Sequence, residues 1–335
     1  MGEINAGRAF DDRPTHPEEK VRQLLRNSRA PGTLSSYRKC FKIFASWCEQ
    51  HDRDVLPASA ETLTLFLSDV AERYRFNTIK NFISSIAFAH RTAREPFDRA
   101  ALHVVVEGIR RVQGAGWRQA TPITVGELRT ILMAVPDTMA GARDRAVLML
   151  GFAGALRSSE IAGLDLGVAG PQASGFLTVE AEGVRITLLR SKTDQQGRSI
   201  FKLVPRGGNP CPVAALEHWL TVASIKSGPV FRPLWKGGAP RQQRMGHCGV
   251  NNIVKNAVYA STRQAGMSEA HARSRALQVS SHSLRVGFVT SAGLANVTSE
   301  DIAQHVGWAG THMVFHYMRQ ANPMENNPAR CVLQS

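Results

Sequence analysis

The sequence predicts a mainly α-helical protein of two domains, an N-terminal helical bundle and a larger α+β domain with a small antiparallel sheet. Its 335 residues are enough for two domains that each bury a core. Up to about residue 113, apolar residues recur at steps of three and four with no strand pattern between them. Beyond residue 123, helical patterns are joined by short apolar runs that are typical of strands.

The helical bundle is predicted to cover residues 31–113. Residues 1–30, which precede it, are charged and contain several Gly and Pro, so we expect a flexible N-terminal segment. Four amphipathic helical patterns follow in the bundle. Ser59 is placed to cap the second helix and Asn77 the third. The apolar stripes of these helices should face one another, leaving their polar faces free for a partner.

A Gly- and Pro-containing segment, residues 114–122, is predicted to link the bundle to the second domain, residues 123–335. The second domain opens with a helix start, because Thr124 and Glu127 have the spacing of a capping box. Three alternating apolar runs then predict the small antiparallel sheet: residues 176–179, 184–189 and 200–204. Lys192 is expected at the turn between the last two strands.

The charge balance indicates the kind of partner. Lys and Arg total 41 against 27 Asp and Glu, giving a net charge of +14 and a pI near 10.2. Such a basic protein favours a polyanion, and nucleic acid is the first expectation. Polar residues on helices of both domains are candidates for DNA phosphates and base edges: Lys39, Lys42, Asn77, Lys80, Asn81, Arg241, Arg244, Asn251 and Lys255. For the predicted helix at residues 248–264, which carries Asn251 and Lys255, an ordinary amphipathic surface helix is an equal alternative.

Cysteine usage and hydropathy exclude several classes of protein. The five cysteines are scattered, odd in number and form no C-x-x-C pair, so neither a disulfide framework nor a zinc site is indicated. The longest apolar run, residues 146–156, is too short to span a bilayer, and the N-terminus has no apolar signal region. We expect a cytoplasmic protein with reduced thiols, no bound metal and no membrane association.

The segment of residues 281–319 gathers side chains suited to phosphoryl chemistry. His282 and Arg285 are three residues apart, so a helix would present both on one face. Arginine matches a phosphate with a fork of donors, and histidine exchanges protons near neutral pH. Trp308 adds an indole donor, and Tyr317 adds a phenol on a short apolar helix. A phenol with a pKa of roughly 10 needs a neighbouring base and positive charge to attack phosphorus, and this segment supplies both.

Each of these side chains also has an ordinary structural interpretation. A single Tyr on an apolar helical face is usually part of a core, and a single Trp usually packs. Arg157 and Glu160, three apart in ALRSSEIAGL, could form a surface salt bridge or a phosphate-binding Arg oriented by Glu. Lys192 could be a solvated charge or a catalytic group. Their joint occurrence favours catalysis over these separate interpretations.

Taken together, the motifs resemble those of the tyrosine site-specific recombinases, the phage integrase family. The chain has the family's catalytic residue types in the family's order: Arg157, Lys192, His282, Arg285, Trp308 and Tyr317. It is most similar to the Cre branch, which shares the Trp where most members have a second His, the nine-residue step to Tyr, the LR-x-x-E motif and an SWC motif near Trp47. The similarity runs over nearly the whole chain.

The resemblance implies a fold and an assembly. The fold would be a C-shaped DNA clamp made of a core-binding, SAM-like helical domain and a catalytic domain. The assembly would be a homotetramer that synapses two double-stranded DNA sites, each with an inverted-repeat target sequence. The implied setting is the nucleoid in the cytoplasm of a bacterium, for a bacterial or phage-encoded protein.

The resemblance also implies a reaction, site-specific recombination or integration through a Holliday junction. Tyr317 would attack the scissile phosphate, forming a 3′-phosphotyrosine and releasing a 5′-hydroxyl. His282 would move the tyrosine proton, and Lys192 would protonate the leaving oxygen. No cofactor, metal or ATP is implied. Two rival activities remain: relaxation or end resolution without synapsis, as in type IB topoisomerases and telomere resolvases, and DNA binding without catalysis.

The remaining site residues are expected to stabilise charge. Arg157 and Arg285 would donate to the nonbridging oxygens of a pentacoordinate phosphorus, where negative charge accumulates. Trp308 would add a neutral hydrogen bond to the same oxygens. Glu160 would orient these groups without contacting the phosphate itself.

Overall fold

The computed structural model describes residues 29–114, 120–189 and 200–321, together with Leu333. The chain divides into two compact units, Met1–Arg118 and Gln119–Ser335. We call them the N-terminal unit and, after the activity that the resemblance implies for it, the catalytic unit. Both are dominated by helices, which confirms the predicted fold class.

The described part of the N-terminal unit is a helical bundle: α1 (Pro31–Gln50), α2 (Ala60–Arg73), α3 (Phe76–Ala93) and α4 (His103–Gln113). Ser59 caps α2 as predicted, its side chain accepting a hydrogen bond from the Thr62 amide. The prediction that Asn77 caps the third helix is wrong. Arg75 is the N-cap residue of α3 and makes no side-chain cap, so helix entry is set where Phe76 packs against the bundle core. Asn77 is left exposed on the first turn.

Aromatic rings fill the centre of this bundle. Phe44, Phe66 and Phe82 come from the three longest helices and are fully buried. The ring centroids of Phe44 and Phe66 are 4.9 Å apart and those of Phe66 and Phe82 are 5.3 Å apart, both in edge-to-face geometry. The apolar stripes read from the sequence therefore meet inside, and the lysine-bearing faces stay exposed.

Helices also surround the sheet of the catalytic unit. They are α5 (Val125–Met133), α6 (Met139–Ala153), α7 (Ser158–Ala162), α8 (Pro212–Val222), α9 (His247–Gln264), α10 (Glu269–Gln278), α11 (Ser281–Leu294), α12 (Ser299–Val306) and α13 (His312–Ala321). Thr124 accepts a hydrogen bond from the Glu127 amide and so caps α5, as the sequence predicted.

The sheet has five described strands: β1 (Leu164–Leu166), β2 (Gly175–Glu180), β3 (Gly183–Leu188), β4 (Ile200–Pro205) and β5 (Gly228–Pro229). Their order is β4-β3-β2-β1-β5. The three predicted strands, β2 to β4, pair antiparallel as expected. The sheet as a whole is mixed, because the short β1 pairs parallel to β2 and antiparallel to β5. Three residues of strand were too few to be recognised from alternation.

Helix α11 lies against the segment that enters the catalytic unit. The amide of Ile123 donates to the carbonyl of Ser283 at 3.0 Å. A Cβ on Gly287 would overlap the carbonyl oxygen of Ile123, so glycine permits this close approach. The contact fixes the depth at which α11 sits in the unit. Across the described ranges, no helix is long and apolar enough to cross a lipid bilayer.

Candidate active site

Helix α11 places His282 in its first turn and Arg285 three residues later on the same side of the helix. Ser280 begins the helix: its hydroxyl accepts a hydrogen bond from the His282 amide at 3.2 Å, and its own amide donates to the Ser283 hydroxyl at 3.0 Å. The Ser281 amide donates to the side-chain oxygen of Asn251 on α9 at 2.7 Å. These bonds satisfy donors that a helix start leaves unpaired, and they fix the orientation of the two functional side chains.

His282 and Tyr317 meet across the site. Nε2 of His282 lies 3.2 Å from the phenol oxygen of Tyr317, which α13 carries. The Trp308 ring stacks on the Tyr317 ring with centroids 5.7 Å apart and planes inclined by 17°. Tyr317 therefore contacts two of the other residues that the sequence predicted for the same site, His282 and Trp308.

Arg285 lies beneath these rings and is only 1% exposed. Its Nη1 donates to the carbonyl of Ala155 at 2.6 Å, and its guanidinium carbon is 5.3 Å from the centroid of the Trp308 ring. Its Nη2 is buried and has no hydrogen-bond partner among the described residues. A buried N–H group without an acceptor is unfavourable, so Arg285 is ready to bind an oxygen of a ligand.

Arg157 is held by Glu160, as expected for a functional pair. Glu160 accepts from Nη1 of Arg157 at 2.6 Å and from the Arg157 backbone amide at 2.8 Å, and it is 3% exposed. This ion pair differs from a surface salt bridge, because moving Arg157 away would leave the buried charge of Glu160 uncompensated. The pair therefore fixes both the backbone and the guanidinium of Arg157.

The electrostatics of the site separate the base from the nucleophile. Burial lowers the pKa of His282 below its ordinary value, and the positive charges of Arg285 and Arg157 lower it further. Burial raises the pKa of Tyr317, with Arg285 acting in the opposite direction. At neutral pH the site therefore holds a neutral imidazole beside a protonated phenol. Burial, followed by the charge of Arg157, also lowers the pKa of Arg285 to about 10, which leaves it charged at neutral pH.

Two further expectations concern groups outside this contact network. Lys192 lies outside the described residues, so its catalytic role stays a prediction. Within the described ranges, no group of three or more His, Cys, Asp or Glu side chains is arranged to hold a metal ion.

Comparison with known proteins gives the family. Residues 122–323, more than half of the chain, match the model of the phage integrase family. The Integrase/recombinase xerD homolog of Selenomonas ruminantium is 30% identical over 316 residues, which cover 92% of this chain and 87% of that protein. The chain belongs to the phage integrase family. It is a tyrosine recombinase, an enzyme that breaks and rejoins double-stranded DNA.

Solved structures share the fold of the recombinase. The Tn1549 transposon integrase in complex with transposon right end DNA is 14% identical, with a TM-score of 0.55 over 92% of this chain and 97% of that chain. The XerH site-specific recombinase bound to palindromic difH substrate is 15% identical, with a TM-score of 0.51 over 82% and 72% of the two chains. At these identities the likeness shows the fold alone. Membership of the Cre branch stays a prediction.

The DNA-contact candidates of the N-terminal unit are all exposed. They are Lys39 and Lys42 on α1 and Asn77, Lys80 and Asn81 on α3. Lys80 also lies 5.6 Å from the centre of the Phe76 ring, which limits its conformational freedom. Nothing inside the bundle requires these polar groups, so their predicted contacts with DNA remain open to test.

The candidates of the catalytic unit divide into two groups. Arg244 has partners inside the unit: it donates to Asp165 at 2.8 Å and to the carbonyls of residues 162 and 164. Its DNA contact stays a prediction. Asn251 uses its side-chain oxygen to hold the start of α11. Arg241 stacks on the exposed Trp235 ring at 4.0 Å, and Lys255 is half-buried on α9. The sequence could not identify the internal contacts of Arg244 and Asn251, because their partners are distant in the chain.

Sequence reasoning missed two groups that hold the site together. Ala155 has a positive φ of 46°, and its carbonyl accepts from Arg285. Lys202 of β4 is buried below the same segment. The sequence shows a single lysine within the apolar strand IFKLVP, but apolar residues on both faces of the strand leave its direction open.

Proposed function

We propose that the recombinase performs site-specific strand exchange with Tyr317 as its nucleophile. The observation that carries this is the 3.2 Å contact between Tyr317 and His282 above a buried Arg285 that has an unpaired Nη2. The phenol oxygen attacks the scissile phosphorus, the bond to the 5′ oxygen breaks, and a 3′-phosphotyrosine forms. The pair of electrons from the broken bond leaves with the 5′ oxygen, which is released as a hydroxyl.

His282 is the general base in this proposal. Its pKa is lowered, so the Nε2 lone pair is available at neutral pH to accept the proton from a phenol that burial keeps protonated. In the reverse step, when a 5′-hydroxyl attacks the phosphotyrosine, the same imidazolium returns the proton to Tyr317. One histidine therefore serves both cleavage and religation.

Arg285, Arg157 and Trp308 stabilise the transition state. Attack on a phosphodiester places additional negative charge on the nonbridging oxygens, where fixed donors act most strongly. The unpaired Nη2 of Arg285 supplies one such donor, and Arg157 is held ready by Glu160. We assign Trp308 a hydrogen bond from its indole N–H, and its stacking on Tyr317 supports a position at the reacting phosphate.

The role of protonating the leaving 5′ oxygen is assigned to Lys192 from the sequence alone. An ammonium group is a suitable acid for a 5′ alkoxide, and its place between β3 and β4 follows from the chain. The phosphotyrosine retains the energy of the phosphodiester bond, so we propose that religation needs neither ATP nor a metal ion.

We further propose that strand exchange occurs through a Holliday junction in a Cre-like homotetramer on two inverted-repeat sites. An apolar groove on the catalytic unit supports a subunit contact; it is lined by Val125, Phe152, Phe288 and Leu203. Residues 322–335 follow α13, and the tail of a neighbouring copy is our candidate to occupy the groove. Removing residues 322–335 should then leave binding to one site intact and abolish the two-site complex, measured by light scattering.

A covalent trapping experiment tests the proposed chemistry. DNA bound by the protein is selected from a random library, nicked beside the cleavage position so that the released fragment diffuses away, and analysed on a denaturing gel. Wild type should form a protein–DNA adduct, Tyr317→Phe should bind without forming one, and Tyr259→Phe, a matched loss of a hydroxyl on α9, should behave as wild type. If wild type binds but forms no adduct, DNA binding without catalysis is the better account. If the adduct forms and a single site suffices for turnover, relaxation without synapsis replaces recombination.

A further inference from the structure

In β4 the charged side chain of Lys202 is buried, whereas its apolar neighbours are exposed. Its side chain points into the catalytic unit and is 4% exposed. Its neighbours Phe201 and Leu203 point outward and are 63% and 57% exposed. Because successive side chains of a strand point to opposite faces, Lys202 must point inward when Phe201 and Leu203 point outward. Lysine is almost never fully buried unless its charge is paired. Such an arrangement requires a partner for the ammonium group inside the protein.

Three backbone carbonyls provide that partner. Nζ of Lys202 donates to Gly154 at 2.9 Å, to His305 at 2.8 Å and to Val306 at 3.2 Å. Gly154 ends α6, and the other two carbonyls belong to the last turn of α12. Helix C-termini have unpaired carbonyls and a partial negative charge, and an ammonium group has three N–H bonds to offer them. Lys202 therefore joins the ends of two helices that are far apart in sequence.

Both helix ends lead directly to site residues. Gly154 precedes Ala155, whose carbonyl accepts from Arg285, and Arg157 follows two residues later. Val306 is two residues before Trp308, which stacks on the nucleophile. A shift of either end would therefore move a phosphate-binding donor.

The charged residues of the candidate site also act on Lys202. Burial and then the charge of Arg285 lower the pKa of Lys202 to about 7, with Glu160 acting in the opposite direction and Arg157 in the same direction. A bound phosphodiester adds negative charge nearby and favours the ammonium form. The three carbonyl bonds are therefore most complete when the substrate is in place.

We propose that Lys202 is a positioning residue for strand cleavage: its ammonium group holds the ends of α6 and α12 together so that Arg157, Arg285 and Trp308 converge on one phosphate. This inference rests on the proposed function. Lys202 itself is not required to touch DNA, because its three donors are used by the protein.

The test compares Lys202→Met with Val204→Ala. Methionine keeps the length of the side chain and removes a buried charge, so the variant is expected to fold. Val204 is buried on the same face of β4 two residues away, and its truncation perturbs the same strand without touching the site. Adduct formation on nicked DNA and DNA affinity are measured separately for each variant, with thermal unfolding as the check on folding. If Lys202→Met does not unfold cooperatively, Lys202→Gln, which keeps two N–H donors, takes its place.

Lys202→Met should bind DNA within about threefold of wild type and form adduct at least tenfold more slowly, whereas Val204→Ala should change neither by more than about threefold. Amide hydrogen exchange should rise at residues 154–157 and 305–308 in Lys202→Met only. Adduct formation at the wild-type rate, or losses of binding and cleavage that match those of Val204→Ala, would overturn the proposal. If wild type forms no adduct while the exchange difference appears, the link between the helices stands and the proposed function is what fails.

Discussion

Nε2 of His282 lies 3.2 Å from the phenol oxygen of Tyr317, although the two residues are 35 positions apart in the sequence. The contact pairs a base whose pKa is lowered with an acid whose pKa is raised. At neutral pH a protonated phenol therefore lies beside a neutral imidazole that can accept its proton. Several expected outcomes follow from this contact and from the groups that support it.

The rate of adduct formation should fall in acid because His282 must be neutral to act as the base. Its pKa is below the ordinary value of about 6.5, so the rate should hold down to that pH and decline only below it. In His282→Gln the rate should drop by about 10²–10⁴-fold and lose this acid dependence. Single-turnover cleavage of nicked DNA between pH 5 and 8, with DNA saturation verified at each pH, measures both. An unchanged acid dependence in the variant would assign it to another group.

Acid should also destabilise the fold through His305. The Nε2 of this residue donates to the Ala153 carbonyl at 2.7 Å, and burial lowers its pKa. The unfolded chain therefore takes up the proton first as pH falls, so stability is present above about pH 6.5 and lost as pH falls through the folded pKa. His305→Gln keeps a donor for that carbonyl without titrating. The decrease in melting temperature from pH 7.5 to 5.5 should be smaller in the variant than in wild type; an equal decrease would place the effect elsewhere.

Glu160→Gln should destabilise the protein and slow cleavage. The carboxylate is buried beside Arg157, and its charge also acts on Arg285 and Lys202, so neutralising it leaves buried cations uncompensated. Breaking a buried pair of this kind costs about 3–5 kcal/mol of unfolding free energy. Glu217→Gln removes one charge from an exposed pair and should leave stability close to wild type. Urea denaturation measures the free energy of unfolding of both variants. Similar midpoints for the two would show that the buried charge of Glu160 does not stabilise the fold.

Gly287→Ala should lower stability because a methyl group has no room there. The added Cβ would overlap the carbonyl oxygen of Ile123, and relieving it must move α11, which carries His282 and Arg285. Overpacking of this type costs about 3 kcal/mol. Gly126→Ala is the matched control, since nothing lies within 4 Å of a Cβ at that position of α5, and it should be neutral or stabilising. A stable Gly287→Ala variant would mean that α11 can shift without loss.

Lys80→Ala should weaken binding to all DNA sequences alike. An exposed lysine that contacts a phosphate releases about one counterion, so the slope of log K against log salt concentration should become shallower by about one. Arg53→Ala is a control in the same unit, because its guanidinium is paired with Glu61 at 3.3 Å. Fluorescence anisotropy over a range of salt concentrations gives both slopes. A loss confined to the cognate site would instead identify Lys80 as a base-reading residue.

Local structure and the residue types of the candidate site could be predicted from the sequence. Helical spacing put His282 and Arg285 on one face, Ser59 and Thr124 were correctly assigned as caps, and the apolar pattern around Tyr317 predicted its helix. These features depend on residues a few positions apart, where side-chain type and backbone geometry are directly linked.

Which polar groups are bonded inside the protein and which are left for a partner could be seen only in the folded chain. Both faces of β4 carry apolar residues, so alternation could not tell that Lys202 points inward, and its acceptors are 48 and 103 positions away in the chain. Arg244 pairs with Asp165, 79 positions away, and no local pattern indicates that pair. A charge is buried or exposed according to partners that folding brings from distant segments, and no local pattern contains that information.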